Sequence, residues 1–195
     1  MSQATPESGT STGGIPVGFS VPKLVLLSVC LVLLGLSLVW AFLSMRAVMA
    51  VGGSCADGGP YVSAQPCPHG AGLIALAIPV LVAATIGGSI VAAALPAPLL
   101  FVPMWAFLFG ALGWNFLDPA FEGQAGSVSG WLVCGVLFEL MAAPAVVVLA
   151  LGFAGRSTMT DGGSPPIGSG RWWWFYPLLG GLGVVLGIES FSALT

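Results

Sequence analysis

Residues 23–46 read KLVLLSVCLVLLGLSLVWAFLSMR. Lys23 opens the stretch and Arg46 closes it, and no charge lies between them. About twenty apolar residues in a helix, rising about 1.5 Å each, cross a hydrocarbon core of about 30 Å. The run from Leu24 to Met45 is too long for the apolar core of a signal peptide, and only Lys23 precedes it as a basic flank. It is expected to cross a membrane as a helix. Cleavage after Ala50 is the lesser alternative.

The rest of the chain repeats the pattern. Of its 195 residues 57% are hydrophobic and only 6% charged, and the mean hydropathy is +1.03. A soluble domain carries about 25% charged residues, so this chain has too little polar surface to cover itself in water. Further apolar runs span 71–95, 99–117, 130–154 and 172–193. Pro96-Ala97-Pro98 separates the second from the third, because proline disfavours helix at its own position and at the one before. Asp118-Pro119 is expected to end the third, and the Pro- and Gly-rich segment 155–171 to form a loop. The fold class expected is all-α, a polytopic membrane helical bundle of about five spans. Four spans result if the second and third runs form a re-entrant pair. Residues 1–22, rich in Ser, Thr, Gly and Pro, read as a disordered tail ahead of the helical domain at 23–195.

Short loops rich in Lys and Arg stay on the cytoplasmic side. Five spans put Lys23, Arg156 and Arg171 on one side and Arg46 on the other. The N-terminus is therefore expected inside and the C-terminus outside. Trp172-Trp173-Trp174 and Tyr176, next to Arg171, suit an aromatic belt at the inner interface.

This orientation places residues 46–70 outside, where disulfides persist. The loop holds Cys55 and Cys67, whereas Cys30 and Cys134 fall inside spans. Three readings of the loop pair stand side by side. A structural disulfide closing a loop of this size contributes about 3 kcal/mol in the chain-entropy model. A redox-active pair suits the wide Cys55–Cys67 spacing less well than a Cys-x-x-Cys motif would. A zinc site would draw on Cys55, Asp57, Cys67 and His69.

GGSCADGGPY at 52–61 followed by PCP at 66–68 resembles an outer loop of an uncharacterised family of actinobacterial multi-pass membrane proteins. GWNFLD at 113–118 is similar to a second segment of that family, with Asp118 where Glu is more usual. The resemblance implies a bacterial plasma membrane and assigns no activity. Claudin-like proteins also pair cysteines in the first outer loop, but their tryptophan motif before the first cysteine is missing here.

A charge inside a span costs about 2.5–3.5 kcal/mol or more near the centre, and by default it marks function. Glu139 is the deep one, nine residues past Gly130 and so roughly 13 Å below the outer helix end. Gly135, Ala142 and Ala143 share its side of the helix, and faces of small residues pack on other helices. Glu139 is expected to point into the bundle. There the stripe Cys30, Ser37, Ser44 on the first helix offers Ser37 at the same depth, with Gly110 and Gly183 leaving room. No Lys or Arg lies in any span to pair with it. A hydrogen bond to Ser37, or to the carbonyl of Leu140 that Pro144 frees, is the structural reading. A proton- or ion-coupled site and a contact to another subunit are the functional ones. Glu189, Asp118, Glu122 and Asp161 are expected at interfaces or in solvated loops.

Other chemistry is missing from the sequence. Four Lys/Arg form no phosphate-binding surface, which excludes nucleic acid as a partner. A single histidine and no converging Ser/His/Asp set give no catalytic constellation, and no metal or cofactor is expected. Gly183 and Gly187 form a GxxxG pair, which reads as close helix packing. The reading is a non-enzymatic membrane component, structural or partner-binding. Its partners would be lipid and another membrane protein or further copies of itself. A small proton- or ion-coupled transporter or channel-like protein with Glu139 as its intramembrane site is the alternative, Ser37 being the other candidate residue within the spans.

Overall fold

A computed structural model describes residues 20–53, 55, 66–95, 97–121, 128–154 and 171–194. These residues form an all-α bundle of five helices: α1 (Val21–Ala50), α2 (Leu73–Ala93), α3 (Phe101–Phe121), α4 (Val128–Ala154) and α5 (Arg171–Leu194). Four of them, α1, α2, α4 and α5, are long and apolar enough to cross a membrane. α3 is as long as α2 but carries Asn115, Asp118 and two tryptophans. The bundle thus has four or five spans, and the chain is a membrane protein.

Successive helices alternate in direction. At the Lys23 end, Leu27 and Leu31 of α1 pack with Ala92 of α2, Leu95, Ala97 and Leu100 of the α2–α3 link, and Trp172 of α5. At the other end Arg46 of α1 pairs with Asp118 of α3, and Ser44 Oγ donates to the Gly70 carbonyl ahead of α2 at 2.8 Å. Between these layers Leu34, Leu81, Ala84 and Met104 join α1, α2 and α3.

α1 is the hub. It packs on α2, α3 and α5, whereas among the described residues α4 packs on α3 alone. The α1–α5 contact depends on missing side chains. A Cβ added to Gly183 would lie 2.2 Å from the Val32 carbonyl oxygen, and one on Gly35 would lie 2.3 Å from that of Gly180. One on Gly187 would lie 2.8 Å from Val39 Cβ. The GxxxG pair therefore lets two backbones touch, as small residues do between membrane helices.

The α3–α4 contact is built differently, as an aromatic ladder. Phe101, Trp105 and Phe109 run up α3 at successive centroid distances of 5.5 and 4.5 Å. Phe138 of α4 lies 6.1 Å from Phe109 and 5.5 Å from Phe116, and Trp131 caps the ladder 5.7 Å from Phe116. Trp105 Nε1 donates to the Met141 carbonyl at 2.9 Å, in the turn that Pro144 loosens.

Several sequence expectations need correcting. α3 does not stop at Asp118-Pro119 but continues to Phe121, since a proline in the last turn forfeits a single backbone bond and Arg46 holds Asp118 in place. Asp118 is consequently an ion-paired helix residue and not a solvated loop charge. The tryptophan run is not uniformly a belt. Trp172 is only 5% exposed, wedged among helix ends, while Trp174 is 83% exposed. The tail at 1–19, Asp57, Glu122 and Arg156 lie outside the described residues.

Candidate functional site

Glu139 sits in the middle of α4, beside the row that faces α3. Trp131, Gly135, Phe138, Ala142 and Ala145 form that row, spaced alternately by four and three residues, and Gly135, Ala142 and Ala145 are buried in it. Glu139 is offset from the row by about a quarter turn and is half-buried. Its carboxyl lies on Gly113 of α3. A Cβ there would come within 2.6 Å of Oε1 and 2.8 Å of Cγ. The glycine in the Gly113–Asp118 segment is thus the bed for the one acid deep in the bundle.

The neighbours expected for Glu139 are elsewhere. Ser37 is fully buried in α1 and donates to the Leu34 carbonyl at 3.1 Å, and α1 and α4 do not touch among the described residues. The stripe Cys30, Ser37, Ser44 instead lines the side of α1 toward α2: a Cβ on Gly88 of α2 would lie 3.0 Å from Cys30 Cβ, and Ser44 reaches Gly70. Gly183 is used against α1, and space beside Gly110 is open. The structure therefore does not bring Glu139 and Ser37 together. The reason is α3. Its residues Met104, Leu108, Ala111 and Asn115 face α1, while Trp105, Phe109, Gly113 and Phe116 face α4.

A second polar group was not anticipated. Asn115 of α3 is 2% exposed and its Nδ2 donates to the Phe42 carbonyl at 3.2 Å, while Oδ1 finds no partner among the described residues. Asn115 borders a gap between α1 and α3, lined also by Leu38, Ala41 and Leu108, of about 10 Å³. That is room for one water. An asparagine inside an apolar run is the signal the sequence offers for it. At about 100° per residue, Asn115 and Gly113 project on opposite sides of α3, so the amide and the Glu139 carboxyl form two separate features.

No family model matches this chain, and neither curated proteins nor solved structures yield a match.

Cys55 and Cys67 form a disulfide with a Cα–Cα distance of 4.8 Å, well inside the usual range. Both sulfurs are spent on each other, which leaves no thiolate from this pair for zinc. Gly52, Gly53 and Gly70 flank the loop at φ of 96°, 83° and 84°, a region that glycine alone enters cheaply. Gly53 also lies beside the Trp131 ring, which ties the loop to the start of α4.

These arrangements can hold helices together and present a carboxyl at mid-depth. Chemically, Glu139 can accept a hydrogen bond or pair with a cation. Among the described residues no nucleophile or base is hydrogen-bonded to it.

Proposed function

We propose that this protein is a non-enzymatic membrane component that binds another membrane protein, with α1, α2, α3 and α5 as its scaffold and α4 as its docking helix. One observation carries the reading: among the described residues α4 is held by α3 alone, keeps most of its circumference outside the bundle, and carries a half-buried acid with no cation beside it. α5 also packs on a single helix, α1, but it carries no acid at mid-depth. The gap at Asn115, sized for a single water, supports a packed scaffold over a solute path. Separation of Glu139 from Ser37 removes the hydrogen bond expected between the two. The basic residues favour a placement with the Lys23 end cytoplasmic and the disulfide loop outside, and the resemblance of 52–61 and 113–118 suggests a bacterial plasma membrane.

Purification of the tagged chain from native membranes in mild detergent tests this. The expected result is a second protein at a fixed molar ratio. Recovery of the chain alone as a single monodisperse species would overturn it.

A further inference from the structure

Beside the α3-facing row of α4 runs a second row with the same alternating spacing: Leu132, Val136, Glu139, Ala143 and Val146. Steps of four and three place side chains along one seam of a helix pair. The first row is covered by the aromatic ladder; the second is open. Leu132, Val136 and Val146 are 38%, 44% and 50% exposed, and Ala143 is exposed between them. Glu139 stands at the midpoint of this seam, half-buried, with its carboxyl against Gly113 at the seam's inner edge and Ala143 one turn away. Of this row, the small Ala143 beside a polar group matches the composition of a helix–helix contact in lipid.

The charges of the chain decide what fits. Its cations are Lys23, Arg46, Arg156 and Arg171, all near span ends, and Arg46 is taken by Asp118. No helix of this protein, nor of a second copy, can bring a cation to the level of Glu139. An acid half-exposed to hydrocarbon is costly, and intramembrane acids pair with groups on facing helices. Resting on the docking role of α4 argued above, we infer that the Leu132–Val146 seam receives a transmembrane helix of a different protein, which carries a lysine or arginine opposite Glu139.

A defined probe tests this without knowledge of the natural partner. The full-length chain, labelled at its N-terminus with a fluorescent donor, is reconstituted in zwitterionic lipid vesicles. It is titrated with acceptor-labelled synthetic leucine–alanine transmembrane peptides carrying either lysine or leucine at the midpoint. The lysine peptide should associate about tenfold more tightly, the scale of one interhelical polar contact. Glu139→Gln, close to isosteric and uncharged, should abolish the preference, and Ala143→Phe should weaken both peptides by filling the seam. Equal binding of the two peptides, or a preference that survives Glu139→Gln, overturns the inference. So does Glu139-dependent energy transfer between donor- and acceptor-labelled copies of the chain, which gives the seam to a second copy. A partner that co-purifies with the chain while the peptides are not distinguished removes this seam but leaves the docking role intact.

Discussion

The side chain of Glu139 lies across the bare α carbon of Gly113, so that the acid and the glycine together fill the space one larger residue would occupy. Gly113→Ala should push Glu139 aside, because the added carbon would meet Cγ and Cδ as well as Oε1. The expected loss is about 1–3 kcal/mol, typical of overpacking. Glu139→Ala should recover most of it. A double-mutant cycle on unfolding in mixed micelles reads the coupling, and strictly additive costs would contradict the contact.

The α1–α5 contact tolerates side chains at some glycines and not at others. Gly183→Ala should destabilise by about 1–3 kcal/mol, since backbone of α1 blocks the new carbon and cannot rotate away. Gly181→Ala, which meets nothing within 4 Å, should be neutral to slightly stabilising. Thermal unfolding of the two variants side by side checks the contrast.

Arg46 and Asp118 clamp the ends of α1 and α3, with side chains 49% and 23% exposed. Exposure of this degree limits the pair to at most about 1 kcal/mol. Asp118→Asn should therefore lower stability only slightly, and the difference from wild type should shrink as salt is raised. A loss of the folded chain in Asp118→Asn would show that the contact does more than this.

Cys55→Ser should cost about 3 kcal/mol, and adding Cys67→Ser should cost little more, because the first substitution already opens the loop. Under non-reducing conditions alkylation of the unfolded wild type should reach Cys30 and Cys134 only. Labelling of four thiols without reductant would show that the bond does not form.

Trp105 Nε1 gives the Met141 carbonyl a partner on α3, one residue past the Leu140 carbonyl that Pro144 frees. Trp105→Phe keeps a ring in the ladder but removes the donor. It should cost about 0.5–1.5 kcal/mol, the net worth of one hydrogen bond, and hydrogen exchange in the middle of α4 should quicken.

Much of the architecture is written in local patterns that a sequence displays openly. Leu24–Met45 between two basic residues could only be a long apolar helix, and Gly183 with Gly187 announced a close backbone contact. The pairing of Cys55 with Cys67 followed from where the apolar runs leave the chain. Adjacency of helices was harder to read. Small residues around Glu139 showed that something packs there, but Gly110, Gly113 and Gly183 are equivalent by that criterion. The aromatic residues of α3 decide among them by recruiting α4 to the side away from α1. The end of α3 was misjudged for a related reason. Asp118-Pro119 is a helix breaker locally, and the ion pair that carries the helix through it comes from a residue 72 positions earlier.

The docking of α5 on α1 joins the last helix to the first. During synthesis α2, α3 and α4 each find a berth on a helix already made, whereas the groove along Val32, Gly35, Leu36 and Val39 stays vacant until α5 emerges. A ribosome halted before residue 171 would thus leave in the bilayer an intermediate with its central helix half-bare, and quality control could recognise that bare strip as the mark of an unfinished chain.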